Sequence, residues 1–124
     1  MRVKHVKIGL KSAKAFLREA EETMVLVAAG KSVKRQSGVY FESLAAVRHA
    51  LTDNRLAVLH AIKTDRPCSV YALAKLLDRD IKNVTEDIHY LEELGLVDLR
   101  TQRRGRKRTV PAVDYELIRL DIAV

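Results

Sequence analysis

A short helix, a tight polar turn and a longer helix are predicted between residues 69 and 95. Ser69 is a suitable N-cap for the short helix, and Asp80 is one for the longer helix. Asp78-Arg79-Asp80 forms the turn, and Gly95 is a residue that commonly ends a helix. The apolar residues of both helices recur at helical spacing and are expected to face inward: Leu73, Ala74, Leu77, Val84, Ile88, Leu91 and Leu94. This order of elements is that of a helix-turn-helix.

The flanking segments extend this unit to a winged helix over residues 52–113. Thr52 can cap a preceding helix, and Pro67 ends it because proline disfavours a helical conformation in the residue before it. The inward face of that helix is expected to contain Leu56, Val58, Leu59 and Ile62. After Gly95, residues 96–100 and 109–113 are predicted to be the two strands of a hairpin. The sequence therefore predicts an α+β fold, a winged helix-turn-helix with an N-terminal strand-helix extension.

The tip of the predicted hairpin, the wing, is strongly basic. Six basic residues and no acidic one lie between Arg100 and Arg108. Five of them occupy the tip: Arg103, Arg104, Arg106, Lys107 and Arg108. Like charges this close together repel one another, so contacts with phosphates or with a narrow minor groove are the favoured interpretation. The alternative is a solvated loop whose charges only aid solubility.

The net charge of +7 is distributed unevenly along the chain. Residues 1–37 and residues 100–108 each carry a net charge of +6, whereas residues 38–99 carry −3 and residues 109–124 carry −2. A segregated basic field attracts polyanions over a long range. A polyanionic partner is therefore favoured.

The N-terminal 50 residues are predicted to be a strand-helix extension that serves in dimerisation, and residues 51–124 to be the DNA-binding domain with a C-terminal strand. A strand is expected over residues 6–10, then a helix capped by Ser12 and ended by Gly30, a second strand over residues 39–41 and a short helix. The helix after Ser12 carries one apolar face: Ala13, Phe16, Leu17, Ala20, Met24 and Val27. Alternating Ile118, Leu120, Ile122 and Val124 predict a final strand, buried on one face, that pairs with the N-terminal strand or with a second subunit. The apolar run from Val25 to Ala29 in the helix and the strand end Ile122-Ala123-Val124 offer more hydrophobic surface than a small domain can bury, which favours a homodimer.

The candidate DNA-binding residues lie on the two helices of the helix-turn-helix and on the wing. The outward residues near the start of the longer helix are Lys82, Asn83, Thr85, Glu86 and His89. Lysine can donate to guanine, asparagine can bond adenine at two points, and the threonine methyl can contact thymine. Ser69, Tyr71 and Arg79 complete the set. Because the longer helix is net acidic, the alternative is a module that binds a protein, with its wing on RNA.

Catalytic, metal and membrane functions have little support in the sequence. The candidates for a metal sensor are Cys68, interpreted as a small buried residue, and four histidines, but none has the close spacing of a local site: His5, His49, His60 and His89. No nucleophile motif or phosphate-binding loop is present, so an enzyme and a cofactor are not expected. No run of about 18 apolar residues is found, and the single cysteine excludes an internal disulfide. A cytoplasmic protein is expected.

Several segments together resemble a known family: residues 40–44, 51–56 and 69–74, then Arg79 to Val84 with Asp87, and the run Leu-Glu-Glu-Leu-Gly-Leu-Val at residues 91–97. They are similar to small prokaryotic transcriptional regulators with a MarR/ArsR-like winged helix, some of them antitoxin-like. The resemblance implies sequence-specific binding of double-stranded DNA, usually by a dimer, with repression or autoregulation as the outcome and a toxin protein as a possible partner. A ligand- or metal-responsive sensor is the further alternative.

Overall fold

The structure is a computed structural model that describes residues 4–32, 38–102, 105 and 108–124. The described residues form five helices and five strands in an α+β arrangement. Their order is β1 (His5–Leu10), α1 (Ala13–Ala28), β2 (Val39–Phe41), α2 (Leu44–Ala50), α3 (Asp53–Asp65), α4 (Val70–Leu77), α5 (Ile81–Glu93), β3 (Asp98–Gln102), β4 (Arg108–Ala112) and β5 (Leu117–Asp121). The predicted α+β fold, with three helices followed by a hairpin, is confirmed.

The predicted capping residues begin four of the helices. The side chains of Ser12, Thr52 and Ser69 each accept a hydrogen bond from the backbone N–H three residues later, at 3.1, 3.2 and 3.0 Å. Asp80 caps α5 by accepting from the N–H of Lys82 at 2.7 Å. These bonds satisfy backbone donors that the first turn of a helix leaves free. The helix starts are therefore encoded locally.

The five strands form two separate sheets. The first has the order β2-β1-β5 and is parallel throughout; the second is the antiparallel hairpin of β3 and β4. The C-terminal strand pairs with the N-terminal strand, with Val6 opposite Ile118 and Ile8 opposite Leu120. The sequence left open whether the C-terminal strand pairs with the N-terminal strand or with a second subunit. In the structure its partner is β1. This pairing joins the two segments on either side of the predicted boundary at residues 50 and 51.

The main core lies between α3, α4, α5 and the start of the hairpin. Its most deeply buried side chains are Val58, Ile62, Leu73, Val84, Ile88, Leu91, Leu96 and Val97. One face of the parallel sheet packs against this core through the half-buried residues Val6, Val39 and Ile118. The parallel sheet therefore covers one side of the helical core.

Two of the sequence predictions about packing are wrong. Leu56 is not on the inward face of α3 but is 42% exposed, because Arg55 occupies the inward position of the first turn, where it pairs with Asp87. The C-terminal strand ends at Asp121, so Ile122 and Val124 lie beyond it, and its Leu120 remains 40% exposed. The one-face burial that the alternation predicted therefore holds only for Ile118.

The bounds of the two hairpin strands also differ from the prediction. The first strand begins at Asp98 rather than at Leu96, since Leu96 and Val97 are buried in the core before strand pairing starts. The returning strand begins one residue earlier than predicted, at Arg108. The paired residues include Leu99 opposite Pro111 and Gln102 opposite Arg108. The apolar end of the hairpin is thus anchored in the core.

Candidate nucleic-acid interface

The turn between α4 and α5 is fixed by its own backbone geometry. Asp78 ends α4 in the left-handed conformation with φ of 51°, and its N–H donates to the carbonyl of Lys75. The N–H of Arg79 donates to the carbonyl of Ala74, and Asp80 is extended and begins α5. Asp is among the residues that tolerate the left-handed region best, because its short side chain can bond locally. The three-residue turn therefore sets a defined angle between the two helices.

A network around Asp87 then holds α5 in place. Its Oδ1 accepts from Arg55 Nε at 3.2 Å, and its Oδ2 accepts from Arg79 Nη2 at 2.9 Å. Arg55 also donates from Nη1 to the carbonyls of His49 and Ala50, and its guanidinium lies 4.0 Å from the ring centre of Tyr90. The Asp87 side chain is only 14% exposed. One carboxylate thus links α5 to α3, to the end of α2 and to the turn.

Arg79 was predicted to contact DNA, and the structure places it within this network. Its side chain is 23% exposed, and its Nη1 is buried without a hydrogen-bond partner among the described residues. The guanidinium is therefore occupied in holding the turn to α5. This position fits a role in orienting the longer helix better than a direct contact with a base.

The other predicted residues of α5 lie mostly on one outer face. Lys82, Asn83, Glu86 and His89 are all exposed. Thr85 is half-buried, and its hydroxyl donates to the carbonyl of Ile81 at 2.6 Å, which leaves its methyl group to form surface contacts. The structure therefore brings two potential base-reading side chains, Lys82 and Asn83, together in the first turn of α5.

The start of α4 contributes fewer available side chains to the candidate interface than the sequence predicted. The hydroxyl of Ser69 is used as a helix cap, whereas Tyr71 is 57% exposed. The sequence analysis missed two further residues, one beside this tyrosine and one beside the turn. Lys75 places its Nζ 4.8 Å from the centre of the Tyr71 ring, and Ile81 is 44% exposed at the beginning of α5. The four-residue spacing of Tyr71 and Lys75 was the signal, since residues four apart on a helix are neighbours.

The wing begins beside the helix-turn-helix. Four of the predicted wing residues lie outside the described residues: Arg103, Arg104, Arg106 and Lys107. Gly105 has φ of 73°, a left-handed conformation that glycine adopts without strain and that suits the tip of a hairpin. Arg108 is exposed at the start of β4, and its Nη1 lies 4.0 Å from the sulfur of Cys68. Because Cys68 directly precedes the cap of α4, this contact places one strand of the wing next to the N-terminus of α4.

Cys68 itself is exposed, so its interpretation as a small buried residue was wrong. The bend at Arg66, which has φ of 46°, and the burial of Pro67 direct the following cysteine outward. A cleft of about 380 Å³, lined by four basic side chains and by Asp114, lies at the base of the wing and was also missed. Its basic side chains are Lys4, Lys63, Arg66 and Arg100. The three-residue spacing of Lys63 and Arg66 at the end of α3 was the only local signal for it.

A comparison with known families identifies the domain that carries this surface. The sequence model of the HVO_A0114 family matches residues 50–120, which is more than half of the chain. The chain belongs to the HVO_A0114 family. The matched region extends from the end of α2 to β5 and thus includes the helix-turn-helix, the wing and all but the last residue of the C-terminal strand. No curated protein and no solved structure matches the chain significantly.

Two further searches of the described residues concern metal sites and membrane spans in this HVO_A0114 family member. No three His, Cys, Asp or Glu side chains of the described residues come together as a metal site. Of the described helices, none is long and apolar enough to cross a membrane.

Proposed function

We propose that the protein is a sequence-specific DNA-binding transcriptional regulator, in which α5 enters the major groove and the wing contacts the minor groove or phosphates. The observation that carries the proposal is the exposure of Lys82 and Asn83 in the first turn of α5, in a chain whose sequence has five basic residues at the tip of the following hairpin. The N-terminal part of a recognition helix is the part that contacts base edges in helix-turn-helix proteins. Arg108, at the base of the wing beside the N-terminus of α4, would add positive charge on the same side.

The chemistry of this face suits base reading. Lysine donates to the acceptors of guanine, asparagine can form two bonds to adenine, and Glu86 can accept from the amino group of cytosine. His89 follows one turn later, and its Nδ1 lies 4.0 Å from Oε1 of Glu92. Glu92 and Glu93 lie at the C-terminal end of α5, where a helix that enters by its N-terminus leaves the groove. Their negative charge is therefore compatible with this orientation.

A second candidate function is a protein-interaction module. The exposed acidic side chains of Glu86, Glu92 and Glu93 favour it, since they give the outer side of α5 a negative potential. In this case α5 would bind a basic protein surface, and the wing would bind RNA or remain solvated. The two functions differ in their dependence on duplex DNA, which makes them separable by experiment.

The proposal extends to the assembly and the cellular role. We infer a cytoplasmic homodimer that acts as a repressor or as an antitoxin-like autoregulator, with a toxin protein as a possible second partner. Dimeric helix-turn-helix proteins place two recognition helices in successive major grooves and therefore bind operators with two related half-sites. The resemblance to MarR/ArsR-like regulators supports the same arrangement.

Selection of duplexes from a random pool, followed by binding measurements on the selected and a scrambled duplex, tests the DNA-binding proposal. Lys82→Ala and Asn83→Ala should each lower the preference for the selected duplex more than they lower binding to scrambled DNA, because base contacts specify and phosphate contacts position. The loss of one good base contact corresponds to about 1–3 kcal/mol at one base pair. Glu93→Ala, at the far end of the same helix, is the matched control and should keep the full preference.

Two results would count against the proposal. One is the failure of the wild-type protein to enrich any sequence, with equal and weak affinity for all duplexes. The other is an unchanged preference in both the Lys82 and the Asn83 variants, which would exclude α5 as the reading element. Specific proteins bind their sites typically 10³–10⁷ times more tightly than random DNA, so the difference is easily measured.

A further inference from the structure

Strand β5 forms an open edge of the parallel sheet. The sheet has the order β2-β1-β5, so one side of β5 pairs with β1, and its other side pairs with no strand of the described residues. Such an edge leaves backbone N–H and C=O groups that can pair with another chain. The strand at the opposite edge, β2, has only three residues, whereas β5 has five and contains neither proline nor glycine. Of the two edges of this sheet, β5 is therefore better suited to accept a further strand.

Apolar side chains beside this edge are left exposed. Leu120 lies opposite Ile8 in the sheet, so the two side chains point to the same side of it. Ile8 is fully buried, whereas Leu120 is 40% exposed. Ile118, two residues before Leu120, is half-buried, and Ile122, two residues after it, is 50% exposed. A strand added beside β5 would cover this row with side chains of its own.

The other side of β5 carries a charge that its own chain does not compensate. Arg119 lies directly opposite Lys7 of β1, and like charges at opposite positions of neighbouring strands are destabilising. Lys7 pairs with Asp121, at 3.3 Å between its Nζ and the carboxylate Oδ2. The ion pairs formed among the described residues do not include Arg119. An acidic residue opposite Arg119 on a further strand would provide the missing compensation.

The sequence of β5 is complementary to itself in one antiparallel register. Arg119 and Asp121 flank Leu120. If two copies of β5 run antiparallel with Leu120 opposite Leu120, Arg119 of each copy lies opposite Asp121 of the other, and Ile118 lies opposite Ile122. The neighbouring two-fold registers, centred on Arg119 or on Asp121, would place two like charges opposite each other. A parallel pair in register would also set like charges side by side, so the charges select both the orientation and the register.

We propose that the open edge of β5 binds β5 of a second copy of the chain, antiparallel and with Leu120 at the two-fold axis. The two three-stranded sheets then become one continuous sheet. The proposal rests on the homodimer of the proposed function and specifies its interface. Over residues 117–123 the two strands can form about six to eight backbone hydrogen bonds. Because this pairing uses the β5 edge of both copies at once, the assembly closes as a dimer.

A charge exchange in the full-length protein tests the occupant, the orientation and the register. Arg119→Asp and Asp121→Arg should each raise the dimer dissociation constant by on the order of tenfold, because two attractive pairs become repulsive. The double variant restores both pairs and should return the constant to near the wild-type value. A mixture of the two single variants should form heterodimers in preference to either homodimer, since each copy then meets the opposite charge. Arg48→Asp makes the same charge change at an exposed position of α2 and is the matched control.

Disulfide trapping measures the register independently. In a Cys68→Ser background, Leu120→Cys should form an intermolecular disulfide on mild oxidation, because opposite positions of an antiparallel pair lie within the Cα separation that a disulfide spans. Arg119→Cys and Asp121→Cys should each form little disulfide alone but should cross-link to each other when the two variants are mixed. A disulfide in the Arg119→Cys protein without one in the Leu120→Cys protein would overturn the register.

Sedimentation over a wide concentration range and far-ultraviolet circular dichroism distinguish the possible failures. A wild-type protein that stays at 14.0 kDa at every concentration would overturn both the homodimer and its interface. A dimer of twice that mass that the charge exchange leaves unchanged would overturn the interface alone, as would single variants that form no heterodimers on mixing. Unchanged circular dichroism of the variants shows that a lost dimer reflects lost contacts rather than unfolding. Sequence preference on DNA is measured separately, so its absence bears on the proposed function and not on the pairing of β5.

Discussion

Tyr115 is the residue that ties the segment after β4 to the start of the hairpin. Its hydroxyl donates to the carbonyl of Leu96 at 2.8 Å. Burial, together with the nearby carboxylate of Asp98, raises the pKa of Tyr115 from 10 to about 12. The neutral side chain is therefore the form that the folded protein stabilises, and the phenol remains a hydrogen-bond donor well above neutral pH.

Tyr115→Phe should lower the free energy of unfolding at pH 7 by about 0.5–1.5 kcal/mol, the net value of one hydrogen bond. Because the pKa is higher in the folded state, this stabilisation is complete below pH 10 and is lost as the pH rises towards 12. Urea unfolding at several pH values should therefore show that the free energies of unfolding of the wild-type protein and the variant converge between pH 10 and pH 12. Tyr71→Phe, which alters an exposed tyrosine, should have little effect at pH 7. A constant difference across the range would contradict the assignment.

Asp87 acts at the level of the helices. Its carboxylate on α5 binds Arg55 on α3, and Arg55 also binds the end of α2. Both of its oxygens accept hydrogen bonds from arginines, and the Arg55 and Arg79 side chains are only 19% and 23% exposed. The loss of the central charge would leave two partly buried guanidiniums without their partner. Such a change lowers stability mainly because it leaves the partner charge unpaired, and less because an attraction is lost.

Asp87→Asn keeps the size of the side chain and should lower the free energy of unfolding by about 2–3 kcal/mol, somewhat less than for fully buried pairs because solvent reaches both arginines. Chemical denaturation of the variant and the wild-type protein measures the change. Glu93→Gln removes an exposed charge from the same helix and should change stability by no more than about 0.5 kcal/mol. Equal effects of the two substitutions would show that the network around Asp87 contributes no net stability.

The elements that the sequence predicted well are those determined by neighbouring residues. Ser12, Thr52, Ser69 and Asp80 cap their helices as expected, since a cap depends only on the residues of the first turn. The winged-helix arrangement also followed from local patterns. The main core of α4 and α5 was predictable for the same reason, because helical periodicity marks the inward positions.

The errors arose where distant residues decide the outcome. Arg55 takes the inward position that hydrophobicity assigned to Leu56, since its partner Asp87 lies 32 residues later in the chain. The same network withdraws Arg79 from the outer surface on which it was predicted. The choice of β1 as the partner of the C-terminal strand joins residues more than 110 positions apart. No local pattern contains such pairings.

At the level of the whole molecule, charge and apolar surface are segregated. The exposed apolar side chains of α1 lie outside the family-matched region, whereas the basic run of residues 100–108 lies within it. A segregated positive field raises the rate and affinity of encounter with a polyanion and makes both dependent on salt.

The wing should therefore account for a measurable part of the salt dependence of DNA binding. Each phosphate that is neutralised contributes about 0.9 to the slope of log affinity against log salt on duplex DNA. Replacement of Arg103, Arg104 and Arg106 by alanine should flatten that slope by up to about 2–3 units and weaken specific and random duplexes together. The melting temperature of this triple variant should stay level or rise, because the repulsion between neighbouring positive charges is relieved.

Salt titrations of the wild-type protein and this triple variant on one duplex make the comparison. A matched control, Lys14→Ala with Lys31→Ala, removes two charges from α1 and the residues after it, and should leave the slope nearly unchanged. If the triple variant kept the wild-type slope, the wing would be a solvated loop. The exposed face of α5 would then have to bind without it, and its acidic residues would favour a protein partner over DNA.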